Sequence, residues 1–548
     1  MIGAAPKMVA CVFCHHGWKV EMKKLVTRRE LLTLIAATGT SSAVLGASAA
    51  IGLIPDTQVS IPLIPPINAA NRSIVAILGA GISGLTAAYE LKKAGYECVI
   101  LEAAPKAGGR VKTLRAGDII DEIGNPQLVE FDDEPHMYFN AGAARIPSSH
   151  RNILHYCKEL GVELEVFINE NKQTWYQDDA MLGGKRVKNI EFTTSARGFM
   201  AEIMAKNFDR HALDQPLSET EAEALLGAMR SFGDLSEGDL YKGSFRAGYR
   251  SGGFIDHGVQ RDIIAFSELL KSRFMRSALN ANEGDTGPIL FQPVGGMDKI
   301  VAGFVRQLDD KIYYNVIVSS VQLAADKVDI TYESGGSKYL LEADYCFNCI
   351  PTHIMAGIDN NFPAAYIKAM SYPQRGTAYK SAFQTKTRFW EKEDIYGGIS
   401  STNQPMRQLW YPTHGMHKEK GVILSAYDYG NGMHFTRMSQ EDRLESVIRQ
   451  GEKLHADYRQ QVEKGITVAW HRMNHMLGCS ARWGGMTQEV EAMYRTLQQP
   501  AGGRHYAIGD QVSMHAAWQE SAVLSAHWAI NHMVERQAGA GNLPGQRL

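Results

Sequence analysis

The chain has no excess of either charge, few cysteines, and neither a long low-complexity tract nor an internal repeat. Its 57 lysines and arginines stand against 59 acids, a formal charge of −2, which gives nucleic-acid binding none of the basic excess it usually needs. Seven cysteines are scattered over 548 residues without a cysteine–histidine cluster at ligand spacing, so no metal site is expected. Cys346 and Cys349 share an apolar run; residues three apart on a strand face opposite sides, which predicts buried free thiols rather than a dithiol. No Ser/His/acid or Cys/His arrangement sits in a hydrolase motif. What is left, 45% apolar and 21% charged residues, is an ordinary globular composition. The length is sufficient for two joined domains around a large core.

The most informative stretch runs from Val75 to Glu102. An apolar run, Ile74 to Leu78, enters a turn with Gly79, Gly81 and Gly84; Leu85, Ala88 and Leu91 follow at helical spacing, and a second apolar run ends on Glu102. This is the strand–turn–helix–strand fingerprint of dinucleotide binding. Gly79 permits the tight turn, Gly81 the close approach of a pyrophosphate, and Gly84 the close packing of a helix whose N-terminus faces the phosphates. Glu102 is placed to accept from a ribose 2′-OH, which argues against NADP. NAD and FAD share the unit.

The N-terminus differs in character. Arg28-Arg29 precede a run without charge from Leu31 to Ile54, and Ala47-Ser48-Ala49 offers a small-x-small cleavage site. The segment resembles a twin-arginine export signal, which implies a periplasmic or secreted protein that folds before crossing the membrane. The alternatives are a retained anchor, although Thr38 to Ser42 make a poor lipid helix, and an uncleaved soluble extension. Cys11-Val-Phe-Cys14-His15 has the form of a haem attachment pattern, but cleavage would remove it, and Met22 offers a later start.

Glu102 is followed by Gly108-Gly109-Arg110, a second close approach to the pyrophosphate with a cation to neutralise it. With this element the chain resembles the flavin amine oxidase family, and bacterial L-amino acid oxidases most of all. The resemblance spans roughly residues 72 to 535 and implies FAD. It implies a mixed α/β fold in which a Rossmann-like FAD domain (72–120, 290–350 and 500–535) is interwoven with substrate-binding and helical regions (121–289 and 351–499). An N-terminal extension (1–50), a proline-rich linker (51–71) and a tail (536–548) flank them. Family members are often dimers, which leaves a homodimer open; no nucleic acid and no lasting membrane anchor are implied.

Site residues follow from the same resemblance. Asn140-Ala-Gly-Ala-Ala-Arg145-Ile-Pro147 is similar to the element whose arginine grips a substrate α-carboxylate, the bidentate pairing to which a planar guanidinium is suited. Lys380, in Tyr379-Lys380-Ser-Ala-Phe383, matches the lysine that reaches flavin N5 through water; an exposed strand lysine is the bland alternative. Tyr427 resembles the second carboxylate donor. Asp510, replacing a more usual glutamate, would meet the ribityl or pyrophosphate region. Trp518 would wall the substrate amine, and Ala517 would offer it a carbonyl where the family often has glycine. Cofactor contacts are implied at Gly79, Gly81, Ile82, Ser83, Gly84, Glu102, Ala103, Gly109, Arg110, Gly142, Ala143, Ala144, Arg145, Val318, Gly509, Asp510, Trp518, Gln519 and Ala522. Glu520 is either a selector of cationic substrates or a surface helix acid.

Elements outside the nucleotide unit are predicted from periodicity: a capped helix after Ser218 with Leu225, Met229 and Phe232 on its core face; a helix from Asp298; one strand from Ile312 to Leu323; a hairpin around Ser334-Gly335-Gly336; strands over Ile395–Ser400 and Val422–Tyr427; and a helix from Gln440 to about Glu463. The implied activity is oxidation of an L-amino acid by O2 to a 2-oxo acid, ammonia and hydrogen peroxide. The rivals are tryptophan-2-monooxygenase-like decarboxylation to an amide, a monoamine or polyamine oxidase, and an FAD-binding scaffold with a degenerate site.

Overall fold

Five parallel strands gather around the glycine turn in the computed structural model, which describes residues 73–537 except 212–214, 280–283, 288, 431 and 486, together with 61, 62 and 64. β1 (Ile74–Leu78), β2 (Glu97–Leu101), β3 (Ile312–Tyr313), β4 (Tyr345–Asn348) and β5 (His505–Ala507) pair in the order β3-β2-β1-β4-β5. α1 (Ile82–Lys93) and α2 (Gln519–Gln537) pack together in one buried cluster, while the other face of the sheet is covered by a second cluster. Burial on both faces is why β1 reads as unbroken Ile-Val-Ala-Ile-Leu instead of alternating. The export-signal, haem-pattern and linker readings lie outside the described residues, except Ile61, Pro62 and Ile64. Among the described residues no helix is long and apolar enough to cross a membrane.

The strand expected from Ile312 to Leu323 is two strands. Asn315 takes a left-handed φ of +57°, and the chain leaves the parallel sheet there to start Ile317–Leu323 in a separate four-stranded sheet. In that sheet Val328–Ser334 and Ser337–Ala343 form the expected hairpin, closed by Gly335 and Gly336 at φ +56° and +80°, the geometry a tight two-residue turn requires.

A seven-stranded sheet holds Tyr379–Thr385 between Gly421–Asp428 and Val462–Ala469, with every residue of Tyr379–Thr385 buried. Two expectations shift here. The strand set at Ile395 begins at Ile399, because Gly397 and Gly398 turn at positive φ against Ile168 and Asn171. The helix from Gln440 stops at Gly451. Gly451 lies so close to the Tyr458 ring that a Cβ would stand 2.5 Å from it; after one short turn, Tyr458–Gln461, the alternating residues from Val462 pair as a strand.

Helix Glu219–Gly233 has its capping box, with Glu221 N–H donating to Ser218 Oγ at 3.3 Å and Ser218 N–H to the Glu221 carboxylate at 2.9 Å. Its buried face is not the one expected. Leu225 and Phe232 are 37% and 49% exposed, and the face turned inward carries Ala222 and Gly233. A Cβ on Gly233 would come within 2.3 Å of Ala201 Cβ, so the helix packs on Asn189–Lys206 through small residues at a separation that large ones would not permit. Denaturant unfolding should therefore show Phe232→Ser within about 0.5 kcal/mol of wild type. Gly84→Ala, whose Cβ would meet Gly79 O at 2.2 Å, should cost about 1–3 kcal/mol.

Candidate active site

Where β1, β2 and β4 end, the chain encloses about 1590 Å³ of empty space, the mouth included. Gly79 turns at φ +102° and donates its N–H to Leu101 O at 2.8 Å. Gly81 faces the cavity, and a Cβ there would meet nothing within 4 Å. Ile82 and Ser83 bring the first turn of α1, and hence its positive dipole end, to the wall. Gly108 N–H donates to Ala80 O at 2.8 Å, which lays Gly109 and Arg110 beside the turn. Glu102 is buried at the end of β2, accepting from Ala80 N–H at 2.6 Å on one oxygen and from Ala104 N–H at 2.8 Å on the other. Burial raises its pKa, and those N–H bonds hold the rise back. Val318 and Ala103 line the same end.

The interior of the wall is polar and paired. Arg110, expected at the pyrophosphate, donates to Asp510 at 3.0 Å from Nη1, makes a second, shorter contact to it from Nη2, and reaches Cys479 O at 2.7 Å. Asp510, expected at the ribityl or pyrophosphate region, also accepts from Ala517 N–H at 2.8 Å. Burial opposes its charge, but the Arg110 guanidinium holds its pKa below the usual carboxylate range. Gly509 and the start of α2 complete this side through Gln519 and Ala522. Gln519 Oε1 is buried in the wall without a hydrogen-bond partner among the described residues. The bare backbone at Gly81, the buried acid at the strand end and this orphaned oxygen fit a dinucleotide lying along the cavity.

At the far end Lys380 is buried, against the alternative of an exposed strand face. Its Nζ donates to Gly142 O at 2.6 Å and Asn140 O at 3.1 Å and lies 4.6 Å from the Tyr427 ring centroid. Burial pushes its pKa down to about 7. Gly142 can only be glycine, since a Cβ would stand 1.7 Å from Arg110 O. Ala143 lines the cavity beside it. Of the residues singled out in the sequence, Gly84, Ala144 and Arg145 stand off the wall. Gly84 packs under the turn against Gly79 O, and Ala144 belongs to the cluster beneath Tyr427. Arg145 donates to Asn169 Oδ1 at 2.9 Å, lies 4.8 Å from the Trp410 ring centroid, and is within hydrogen-bonding reach of the Tyr429 hydroxyl.

Trp518 lines the cavity, with His150 edge-on at 4.9 Å and 88°. Ala517 beside it has φ +75°, so the backbone form that glycine favours is kept by alanine at a cost of about 1 kcal/mol. Glu520 is engaged elsewhere: its oxygens accept from Asn152 N–H at 3.1 Å, Asn152 Nδ2 at 2.7 Å and Ile153 N–H at 2.9 Å, capping helix Arg151–Glu159. This is the helix role, not substrate selection. Sequence reasoning passed over Tyr429, Trp470, His475, Cys349 and Cys479, all on the wall. Tyr429 was within reach, two residues past Tyr427 and so on the same strand face. Cys349 lies just beyond β4 and, like Cys479, is half-buried, whereas Cys98, Cys157 and Cys346 are buried; all five are free.

A family model described as flavin containing amine oxidoreductase matches residues 82–529. An L-amino-acid oxidase of Gloydius blomhoffii is 27% identical over 487 residues, covering 83% of this chain and 88% of that protein. One from Siganus canaliculatus is 26% identical over 480 residues, covering 84% and 85%. Among solved structures, putrescine oxidase bound to putrescine and cyclohexylamine oxidase from Brevibacterium oxydans each share the fold at TM-score 0.57 and 16% identity. Each likeness covers 85% of this chain and 100% of theirs.

Two outcomes follow from the geometry. A lysine whose pKa falls from 10.5 to about 7 on folding leaves the unfolded chain with the extra proton between those values, so stability drops as pH falls from about 10.5 to about 7 and levels off below. Unfolding measured across that window should lose this slope in Lys380→Met, and any ionisation near pH 7 in the reaction rate should vanish with it. Ala517→Gly should leave stability unchanged or raise it by up to about 1 kcal/mol.

Proposed function

Since the chain belongs to the flavin-containing amine oxidoreductase family and is an FAD-dependent oxidoreductase, we propose that it oxidises L-amino acids with O2 and water to 2-oxo acids, ammonia and hydrogen peroxide. The observation that carries this reading is Arg145, held by Asn169 and Trp410 next to Tyr429 at the Lys380 end of the cavity. A fixed guanidinium there suits a substrate with a carboxylate; a simple amine would leave it without a partner. The relatives named as L-amino-acid oxidases, matched over more than four-fifths of the chain, support the same choice. The putrescine and cyclohexylamine oxidase structures speak for the fold alone.

In this reading the glycine turn, Glu102, Val318 and the start of α2 hold FAD, which when bound takes a hydride from the substrate Cα and passes the electrons to O2. Arg145 and Tyr427 hold the carboxylate. The Ala517 carbonyl accepts from the amine, and Trp518 confines it. With carboxylate and amine both fixed, the Cα–H has one direction left, and that positioning supplies much of the rate. The amine reacts in its neutral form, so no strong protein base is needed. Lys380, balanced near neutrality by its burial, can hold or release a proton at the cavity wall. The imino acid that leaves is hydrolysed by water. Export in folded, FAD-loaded form through the Arg28-Arg29 segment belongs to the same proposal.

Anaerobic titration of the purified holoprotein with L- and D-amino acids should bleach the flavin with L-enantiomers only; bleaching by none would overturn the reading. Product analysis should find peroxide and a 2-oxo acid, whereas an amide would establish the monooxygenase outcome. Arg145→Ala should lower kcat/KM for amino acids about 10²- to 10⁴-fold, the loss of two charge-assisted hydrogen bonds, while sparing whatever turnover the decarboxylated amines show.

A further inference from the structure

Tyr429 is on the cavity wall and 45% exposed, at the mouth rather than in the depth, and nothing above gives it a task. Its ring lies 4.1 Å from that of Tyr427, tilted by 41°. Arg145 and Tyr427 both hydrogen-bond to its hydroxyl. The direction of each bond is fixed by chemistry. A guanidinium can only donate, so Tyr429 Oη accepts from Arg145. Tyr427 is the deeper of the pair, lying under the Lys380 nitrogen. Burial pushes its pKa well above that of an ordinary tyrosine, so it keeps its proton and donates as well. With both lone pairs of Tyr429 Oη accepting, its own O–H is left as a donor and must find an acceptor outside the protein. A phenol accepting two hydrogen bonds, one of them from a cation, is also a stronger donor.

We propose that Tyr429 is a substrate-binding residue whose hydroxyl donates to the α-carboxylate beside Arg145, with Tyr427 orienting it from below. The inference rests on the L-amino acid reading of the same site and changes its detail. The carboxylate meets a clamp made of one guanidinium and the outer tyrosine, and the Tyr427 hydroxyl acts through Tyr429. Arg145, fixed by Asn169 Oδ1 at 2.9 Å and by the Trp410 face, and Tyr429, fixed by two accepted bonds, are both set before substrate arrives, so little ordering remains to oppose binding. Tyr429 then discriminates as Arg145 does, between ligands with and without a carboxylate, and not between side chains.

The test uses the holoprotein and two ligands that differ by a carboxylate. 2-Methylalanine has no Cα hydrogen and cannot be oxidised at that carbon; isopropylamine is the same molecule without its carboxylate. Binding of each is read from the absorbance of the bound flavin. Tyr429→Phe should weaken 2-methylalanine about 10- to 150-fold, the range for a hydrogen bond to a charged group, and change isopropylamine by less than about 2-fold. Tyr427→Phe should weaken 2-methylalanine less than Tyr429→Phe does. For an L-amino acid that bleaches the wild-type flavin, Tyr429→Phe should raise KM with kcat held within about 3-fold. Unchanged affinity for 2-methylalanine, or equal weakening of both ligands, would overturn the assignment, the second by showing that Tyr429 only shapes the cavity. Tyr429→Phe that fails to retain flavin would count as such a shaping role, and against the proposal, if Tyr429→Leu also fails. Because 2-methylalanine needs no turnover, a wild type that binds it but is bleached by no L-amino acid would sink the proposed reaction and leave the clamp standing; a wild type that does not bind it sinks both.

Discussion

The architecture turns on one contact: the Lys380 side chain, buried in the seven-stranded sheet, tied to the carbonyls of Asn140 and Gly142. The strap it holds is pinned from the other side as well, since Gly142 lies against Arg110 O with no room for a side chain. The strap thus joins the strand floor of the substrate end to the glycine-rich walls of the nucleotide end. Arg145 comes three residues after it, so the same contact sets where the guanidinium can stand. Burying a lysine opposes its charge, and here that cost coincides with a use, because the side chain is left near its midpoint at neutral pH.

A second tie runs through Arg110, Asp510 and the Ala517 N–H. A buried ion pair is weak evidence for stability, but this one orders three distant parts of the chain around the space a flavin would fill. Its effect reaches Ala517, whose left-handed backbone needs surroundings that over-determine it. Strain of that kind recurs where a carbonyl must be aimed, and the Ala517 carbonyl is the one given to the substrate amine. The nearby acid that could have been read as part of the site, Glu520, is instead occupied in capping a helix.

Membership in the flavin-containing amine oxidoreductases divides the work. Redox chemistry belongs to the cofactor, and the chain contributes a cradle, a fixed cation and a polar end with few titratable groups. That division explains why relatives named for amino acids and folds named for amines coexist around one scaffold: the reacting end can be kept while the grip on the rest of the substrate changes. Arg145 and the tyrosines at 427 and 429 are where this chain makes its own choice.

What the sequence by itself determined is local. A run of small-range spacing such as Gly79, Gly81 and Gly84 with Glu102 at the next strand end carries its geometry in the backbone, because left-handed turns and close approaches admit few residue types; the same holds for the capping box at Ser218 and the hairpin at Gly335-Gly336. Tertiary structure decided the rest. Periodicity marks a helix face but not which neighbour it meets, so Leu225 and Phe232 looked like core until Ala201 and Gly233 were seen to bring two helices too close for them. An amphipathic pattern does not record that Gly451 must pass a tyrosine ring fetched from the next turn. Arg110 and Asp510 stand 400 residues apart, and a pairing across that distance leaves no trace in the spacing of either, since it is fixed only when five parallel strands draw their ends to one edge.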